Sequence, residues 1–241
     1  MKALVKAKDE IGLVLSDVNV PKIGNDDVLI KVKTTAICGT DLHIWNWDNW
    51  ASSTIKTPMT VGHEFMGEVF EVGPDVKNFQ IGDRVSAESH ITGQNSRNAK
   101  AGKLHLDPET VNIGVDRDGA FAEFISVPAR NVVNLPDGIS DQIGSILDPF
   151  GNAVHATLSY DLVGEDVLVT GAGPIGIMSA AIAKYVGARK VLLTDINDHR
   201  LELAKKVCDV EVLNPLTGSL EEKMTEMGIK EGFDIGLEMS G

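Results

Sequence analysis

Cysteine is almost absent from this chain: its 241 residues include two, Cys38 and Cys208. Two thiols so far apart give no disulfide framework, which excludes the small disulfide-stapled scaffolds and suits a reducing cytoplasm. Aromatic residues are scarce, at 5%, and positive charge is outweighed, with 22 Lys and Arg against 35 Asp and Glu for a net charge of −13. No cluster of Lys or Arg offers phosphate contacts, so this balance argues against a nucleic-acid partner. Long hydrophobic runs are also missing. The opening Met1-Lys2-Ala3-Leu4-Val5-Lys6 returns to charge too soon for the core of a signal peptide. Val167–Ala183 is uncharged for 17 residues, but it contains three glycines and a proline and falls short of the roughly 20 apolar residues of a membrane span. It reads instead as a buried strand followed by a buried helix.

What remains, 43% hydrophobic and 24% charged, is the composition of a globular protein long enough for two domains. The first part reads as short strands, such as Val28–Lys33, Gly67–Val72 and Phe121–Val127, separated by the turn signals Gly24-Asn25, Gly73-Pro74, Gly82-Asp83 and Asp118-Gly119. That spacing predicts a small, irregular β-barrel. Between Ser140 and Leu162 the pattern turns helical, with Asp148-Pro149 interrupting it. From Asp166 onward strands at 166–171, 190–195, 210–213 and 233–238 alternate with helices, the second capped by Asn197-Asp198. Alternation of this kind predicts a parallel, doubly wound sheet. The expected division is 1–147 and 148–241. A full dinucleotide fold has six strands in the order 3-2-1-4-5-6. This chain stops at Gly241 after the fourth, so the expectation is a truncated domain or an edge covered by a partner.

The apolar run Val167-Leu168-Val169 leads into Gly171-Ala172-Gly173-Pro174-Ile175-Gly176, a helix follows to Val186, and a second strand ends at Asp195, nineteen residues past Gly176. The glycines permit a tight turn and close backbone approach to a pyrophosphate, whose charge meets the helix N-terminus. The acid can accept hydrogen bonds from both ribose hydroxyls. It would repel a 2'-phosphate, so NAD is favoured over NADP.

A second cluster is Cys38-Gly39-Thr40-Asp41-Leu42-His43 with Gly62-His63-Glu64. A thiolate and an imidazole are natural zinc ligands, and a nearby carboxylate completes a site left open for substrate. Zinc there is a Lewis acid that lowers the pKa of a bound alcohol.

With these motifs, and with Trp45-Asn46-Trp47-Asp48 and Asp148-Pro149-Phe150-Gly151-Asn152-Ala153-Val154-His155, the sequence resembles the zinc-dependent medium-chain alcohol and polyol dehydrogenases along its whole length. The resemblance is greatest to the bacterial branch that oxidises L-threonine. It implies a GroES-like irregular β-barrel catalytic domain followed by a Rossmann domain with four of six strands. It implies one catalytic zinc on Cys38, His63 and Glu64. Asp148 matches a carboxylate that either binds the metal or assists proton transfer, and Thr40 and His43 match a relay carrying the alcohol proton to solvent. A hydroxyl passes protons and an imidazole titrates near neutrality, which suits that role. His90 matches a histidine near the substrate pocket, set against a structural role. Gly171, Gly173, Ile175 and Gly176 match the pyrophosphate turn, Asp195 the ribose acceptor, and Arg200 either an adenosine-side contact or a solvated helix residue. Trp45, Trp47 and Trp50 read as core residues, as a wall near the substrate entrance or as a subunit contact.

The sequence departs from the family in one lobe. Four cysteines that hold a structural zinc in relatives are replaced by Gly93, Ser96, Ala99 and Asp107, so no structural zinc is expected, and the polar stretch 93–108 is expected to be mobile. The activity implied is oxidation of the L-threonine 3-hydroxyl to 2-amino-3-oxobutyrate with NAD+, in a cytoplasmic enzyme whose relatives form homotetramers. The alternatives are a polyol dehydrogenase of the sorbitol or butanediol type, or a catalytically silent NAD-binding or assembly protein.

Overall fold

Val28, Ile30, Phe65, Val69, Val85, Ile125, Val127 and Val132 are all buried together, and this apolar set draws five strands into one sheet. The computed structural model describes residues 1–240 and divides into two units, Met1–Asp148 and the residues from Pro149 onward. In the first unit a three-stranded antiparallel sheet joins β1 (Lys2–Lys6), β2 (Val14–Asp17) and, after β3 (Asp27–Thr35), α1 (Gly39–Asn46) and α2 (Asn49–Thr54), the short β4 (Met59–Thr60). The larger sheet uses β3, β5 (Phe65–Val72), β6 (Arg84–Ala87), β9 (Phe124–Pro128) and β10 (Val132–Asn134) in the order β10-β6-β5-β3-β9, antiparallel throughout. Between β6 and β9 lie β7 (His90–Ile91), α3 (Arg97–Lys100) and β8 (Val111–Asn112).

The expected strand 121–127 starts later, at Phe124, because the chain changes sheets there. Phe121 and Glu123 exchange backbone hydrogen bonds with Leu4, Val61 and Lys2 before the strand joins β3. The helical stretch after Ser140 is two helices, α4 (Asp141–Gly144) and α5 (Leu147–Thr157). Pro149 does not interrupt a helix as expected. It stands in the first turn of α5, where backbone N–H groups have no intrahelical partner and a proline removes nothing.

The second unit is a four-stranded parallel sheet of β11 (Asp166–Thr170), β12 (Lys190–Thr194), β13 (Glu211–Leu213) and β14 (Ile235–Glu238), connected through α6 (Pro174–Val186), α7 (Asp198–Cys208) and α8 (Leu220–Met227). Its order β13-β12-β11-β14 is the 3-2-1-4 portion of the doubly wound arrangement. Helices cover both faces, so Val167 and Val169 bury against one apolar cluster and Leu192 against another formed with Met227 and Ile229. Gly187, left-handed at φ +106, ends α6, and Asn197 caps α7 by accepting from Arg200 N at 3.3 Å. Among the described residues, no helix is long and apolar enough to cross a membrane.

Candidate active site

Thr35 at the end of β3 pairs with Phe65 at the start of β5. That register brings residues just after one strand to residues just before the other, and the Ala36 N–H donates to the Glu64 carbonyl at 3.0 Å. Cys38, His63 and Glu64 thereby meet, 25 residues apart in sequence, with ligand atoms all within 4.8 Å of one another. Gly62 makes the approach possible. It is left-handed at φ +93, and a Cβ there would lie 2.3 Å from the Phe121 ring.

His63 and Glu64 are buried, as is Asp41, whose role the sequence reading missed. Asp41 is three residues into α1, where its Oδ2 accepts from the Cys38 N–H at 2.9 Å. Its Oδ1 faces His63 Nδ1 at 4.0 Å, and neither atom has a hydrogen-bond partner. The signal was in the sequence: an acid three residues after a helix start is the reciprocal half of a capping box. Burial pulls the His63 imidazole down, but the Cys38 side chain and the charges of Asp41 and Asp148 outweigh it and raise its pKa to about 9. Burial raises Asp41, and burial with the nearby Asp148 charge raises Glu64. A site holding a thiol, an imidazole and crowded carboxylates fits a bound cation. The soft and borderline donors favour zinc.

Thr40 Oγ1 lies 3.7 Å from Cys38 Sγ, while His43, one helical turn further along α1, sits 2.5 Å through Nδ1 from Asp48 Oδ2. Asp148, in the first turn of α5, accepts from Ser89 Oγ at 2.7 Å. Glu88, His90 and Asp148 form a second cluster with ligand atoms within 4.8 Å, and His90 Nδ1 is 2.6 Å from Glu88 Oε1. The hydrogen bond that His90 donates to Glu88 raises His90 and lowers Glu88. Of the three tryptophans, Trp45 is exposed on α1. Trp47 packs on the core beneath α1, whereas Trp50 meets the His43 ring edge-on at 6.0 Å.

The lobe from Gly93 to Pro108 contains α3 and a 3-10 turn at Leu104–Leu106, closed by Asn98 Nδ2 donating to the Leu106 carbonyl at 2.6 Å. Three of the four replaced cysteine positions converge there. A Cβ on Gly93 would lie 3.0 Å from buried Asp107, whose carboxyl is held low first by the Ser96 hydroxyl.

In the second unit Gly171 is left-handed at φ +92, and a Cβ on it would lie 2.6 Å from the Met239 backbone. A Cβ on Gly176 would lie 1.8 Å from the Gly171 carbonyl oxygen, whereas Gly173 opens to free space at the start of α6. A backbone cradle at a helix N-terminus suits a pyrophosphate. Asp195 is fixed by Ala172 N at 2.7 Å and Asn197 N at 2.8 Å, and Arg200 Nη1 lies 3.8 Å from its Oδ2. Ile175 follows Pro174 in the first turn of α6.

Comparison with known proteins agrees with this geometry. The family described as Alcohol dehydrogenase GroES-like domain matches residues 24–137, and that described as Zinc-binding dehydrogenase matches 174–241. An L-threonine 3-dehydrogenase of Vibrio parahaemolyticus is 57% identical over all of this chain and 70% of its own length. One of Escherichia coli is 58% identical over all of this chain and 71% of its own. The crystal structure of a zinc-binding dehydrogenase from Sinorhizobium meliloti bound to NADP superimposes with a TM-score of 0.91 at 28% identity, covering all of this chain and 70% of that one. The chain, a GroES-like barrel joined to a Rossmann-type domain, belongs to the zinc-dependent medium-chain alcohol dehydrogenase family.

Proposed function

We propose that this chain is an NAD-dependent dehydrogenase that oxidises the 3-hydroxyl of L-threonine to 2-amino-3-oxobutyrate. The observation that carries the reading is the convergence of Cys38, His63 and Glu64 in a chain 57% identical along its length to an L-threonine 3-dehydrogenase. Residues 1–147 are the catalytic domain in this reading, and 148–241 bind the cofactor. When bound, zinc supplies Lewis acidity toward the substrate hydroxyl and NAD+ supplies the hydride acceptor.

The protein's own groups do the rest. Cys38, His63 and Glu64 would hold the metal. With Nδ1 facing Asp41 across 4.0 Å, His63 has Nε2 left to coordinate, and the Asp41 carboxylate stands behind the imidazole. Asp148, oriented by Ser89, holds negative charge beside the metal site, and His90 stands next to it as a substrate-side group. Thr40 takes the hydroxyl proton and passes it to His43, which releases it to solvent. Gly171, Gly173, Ile175 and Gly176 would cradle the pyrophosphate, Asp195 would accept from the ribose, and Arg200 would serve the adenosine side. Two unbridged cysteines support a cytoplasmic location, and a homotetramer is the assembly expected.

NADH formation with L-threonine, sorbitol and 2,3-butanediol, measured side by side on zinc-loaded protein, tests the assignment. Preference for threonine is expected, and preference for a polyol would overturn it.

A further inference from the structure

Asp48 occupies the turn between α1 and α2 and uses its two carboxylate oxygens differently. Oδ1 accepts from the Ala51 N–H at 2.9 Å, the N-cap contact that starts α2. Oδ2 lies 2.5 Å from His43 Nδ1. The approach follows from the backbone: Trp47 is left-handed at φ 54 and ends α1, so the chain doubles back and sets Asp48 against a residue five positions earlier. Trp50, the second residue of α2, meets the imidazole edge-on, with the ring planes at 67°. His43 is more than half exposed, at 59%, and a histidine side chain that open would ordinarily sample several rotamers. Here a carboxylate and an indole hold it.

The chemistry of this contact is one-directional. An ionised carboxylate only accepts hydrogen bonds, so the nitrogen facing it must carry a proton. Asp48 stays ionised at neutral pH, since the Ala51 N–H, and after it His43, hold its carboxyl below the usual range. A neutral His43 therefore has its proton on Nδ1 and its lone pair on Nε2.

We propose that Asp48 is a positioning residue for proton export: it fixes His43 as the Nδ1–H tautomer, so that Nε2 alone accepts the proton Thr40 takes from the substrate hydroxyl. The proposal rests on the reading of Thr40 and His43 as the relay. The transfer is balanced: the hydroxyl loses a proton, His43 Nε2 gains it and becomes imidazolium, and the imidazolium returns it to solvent.

A purely structural Asp48 would only cap α2, and asparagine separates the two roles. Asn is as good an N-cap as Asp, so its side-chain oxygen can keep the Ala51 contact. Its amide N–H₂ would then face His43 and donate, favouring a bare Nδ1 and placing the proton on Nε2. The experiment is 15N NMR of the imidazole nitrogens in the full chain, wild type and D48N, combined with turnover of L-threonine by D48N and H43A. The wild type should show Nδ1–H at His43 and D48N should show Nε2–H. Turnover by D48N should drop about tenfold or more, with KM within about twofold and zinc content unchanged, and added imidazole should restore part of it. A wild-type Nε2–H tautomer overturns the proposal without any variant. So does a D48N enzyme with wild-type turnover when H43A is impaired. If H43A itself turns over at the wild-type rate, the relay reading fails instead, a result distinct from either of these.

Discussion

The ammonium of Lys6 lies 4.8 Å from the centroid of the Trp47 ring, and the lysine is wholly buried. It donates to the carbonyls of Glu10 at 2.5 Å, Gly12 at 3.2 Å and Trp45 at 3.4 Å, tying the first strand to the end of the helix that carries Thr40 and His43. Burial pulls its pKa below the ordinary lysine value, and the charges of Glu10 and Asp9 oppose that pull. Lys6→Met keeps the aliphatic stem and removes the donor, so the Glu10 and Gly12 carbonyls lose the ammonium while the Trp45 carbonyl keeps the Gly12 N–H. The cost expected is about 1–3 kcal/mol. All three tryptophans lie in this unit, so urea unfolding followed by tryptophan fluorescence reports it directly. An unchanged midpoint would show that water replaces the ammonium without loss.

Cys38→Ser should lose zinc and turnover together, as read by metal analysis and NADH formation; a zinc-free variant that still oxidises threonine would rule out the metal mechanism. In the metal-free chain His63, with a pKa near 9, carries a proton at neutral pH. Zinc must displace it, so uptake should release protons and affinity should rise as pH increases toward 9. Calorimetry in buffers of different ionisation enthalpy measures the release directly.

The Glu88–His90 pair gives a second titration with a definite sign. The Glu88 hydrogen bond raises His90, so its stabilisation is full below the ordinary 6.5 and fades as pH climbs through the raised value. Glu88 is lowered by the same contact, so its share is present above the ordinary 4.5 and fades as pH falls through the lowered value. The pair is therefore strongest between those two limits. Both side chains are about half exposed, which keeps its effect on stability small. The cleaner measurement is the His90 ring titration by NMR, which should move down in Glu88→Gln. A titration identical in both proteins would mean the contact does not form in solution.

Metal analysis of purified protein should return one zinc per chain. Gly93, Ser96 and Ala99 bring no strong ligand to the lobe, and Asp107 alone would hold zinc poorly. Asp107→Ala should leave that content unchanged while exposing 97–106 to proteases, because the carboxylate accepts from Ser96 and from the Glu109 N–H. Two zincs per chain would refute this account of the lobe.

Much of this protein could be read before any coordinates, for reasons of period and chemistry. Strands of a parallel sheet covered on both faces are nearly continuous apolar runs, so 166–171 and 190–195 stand out, and the glycines after the first mark where backbone must come close to backbone. The converging trio Cys38, His63 and Glu64 was likewise legible as a candidate from residue type and neighbours. Contacts set by register and turn geometry were not. The pairing of Thr35 with Phe65 joins Cys38 to His63, a sheet change delays β9 to Phe124, and a left-handed Trp47 folds Asp48 onto His43. The burial of Asp41 and Lys6 could not be read, because a linear sequence shows a side chain's charge but not the partners that let it be buried. The sequence by itself determined which groups are present and which elements carry them. Tertiary structure decided which of those groups touch, since contact depends on strand register and chain reversal, and a shift of one residue in either would part them.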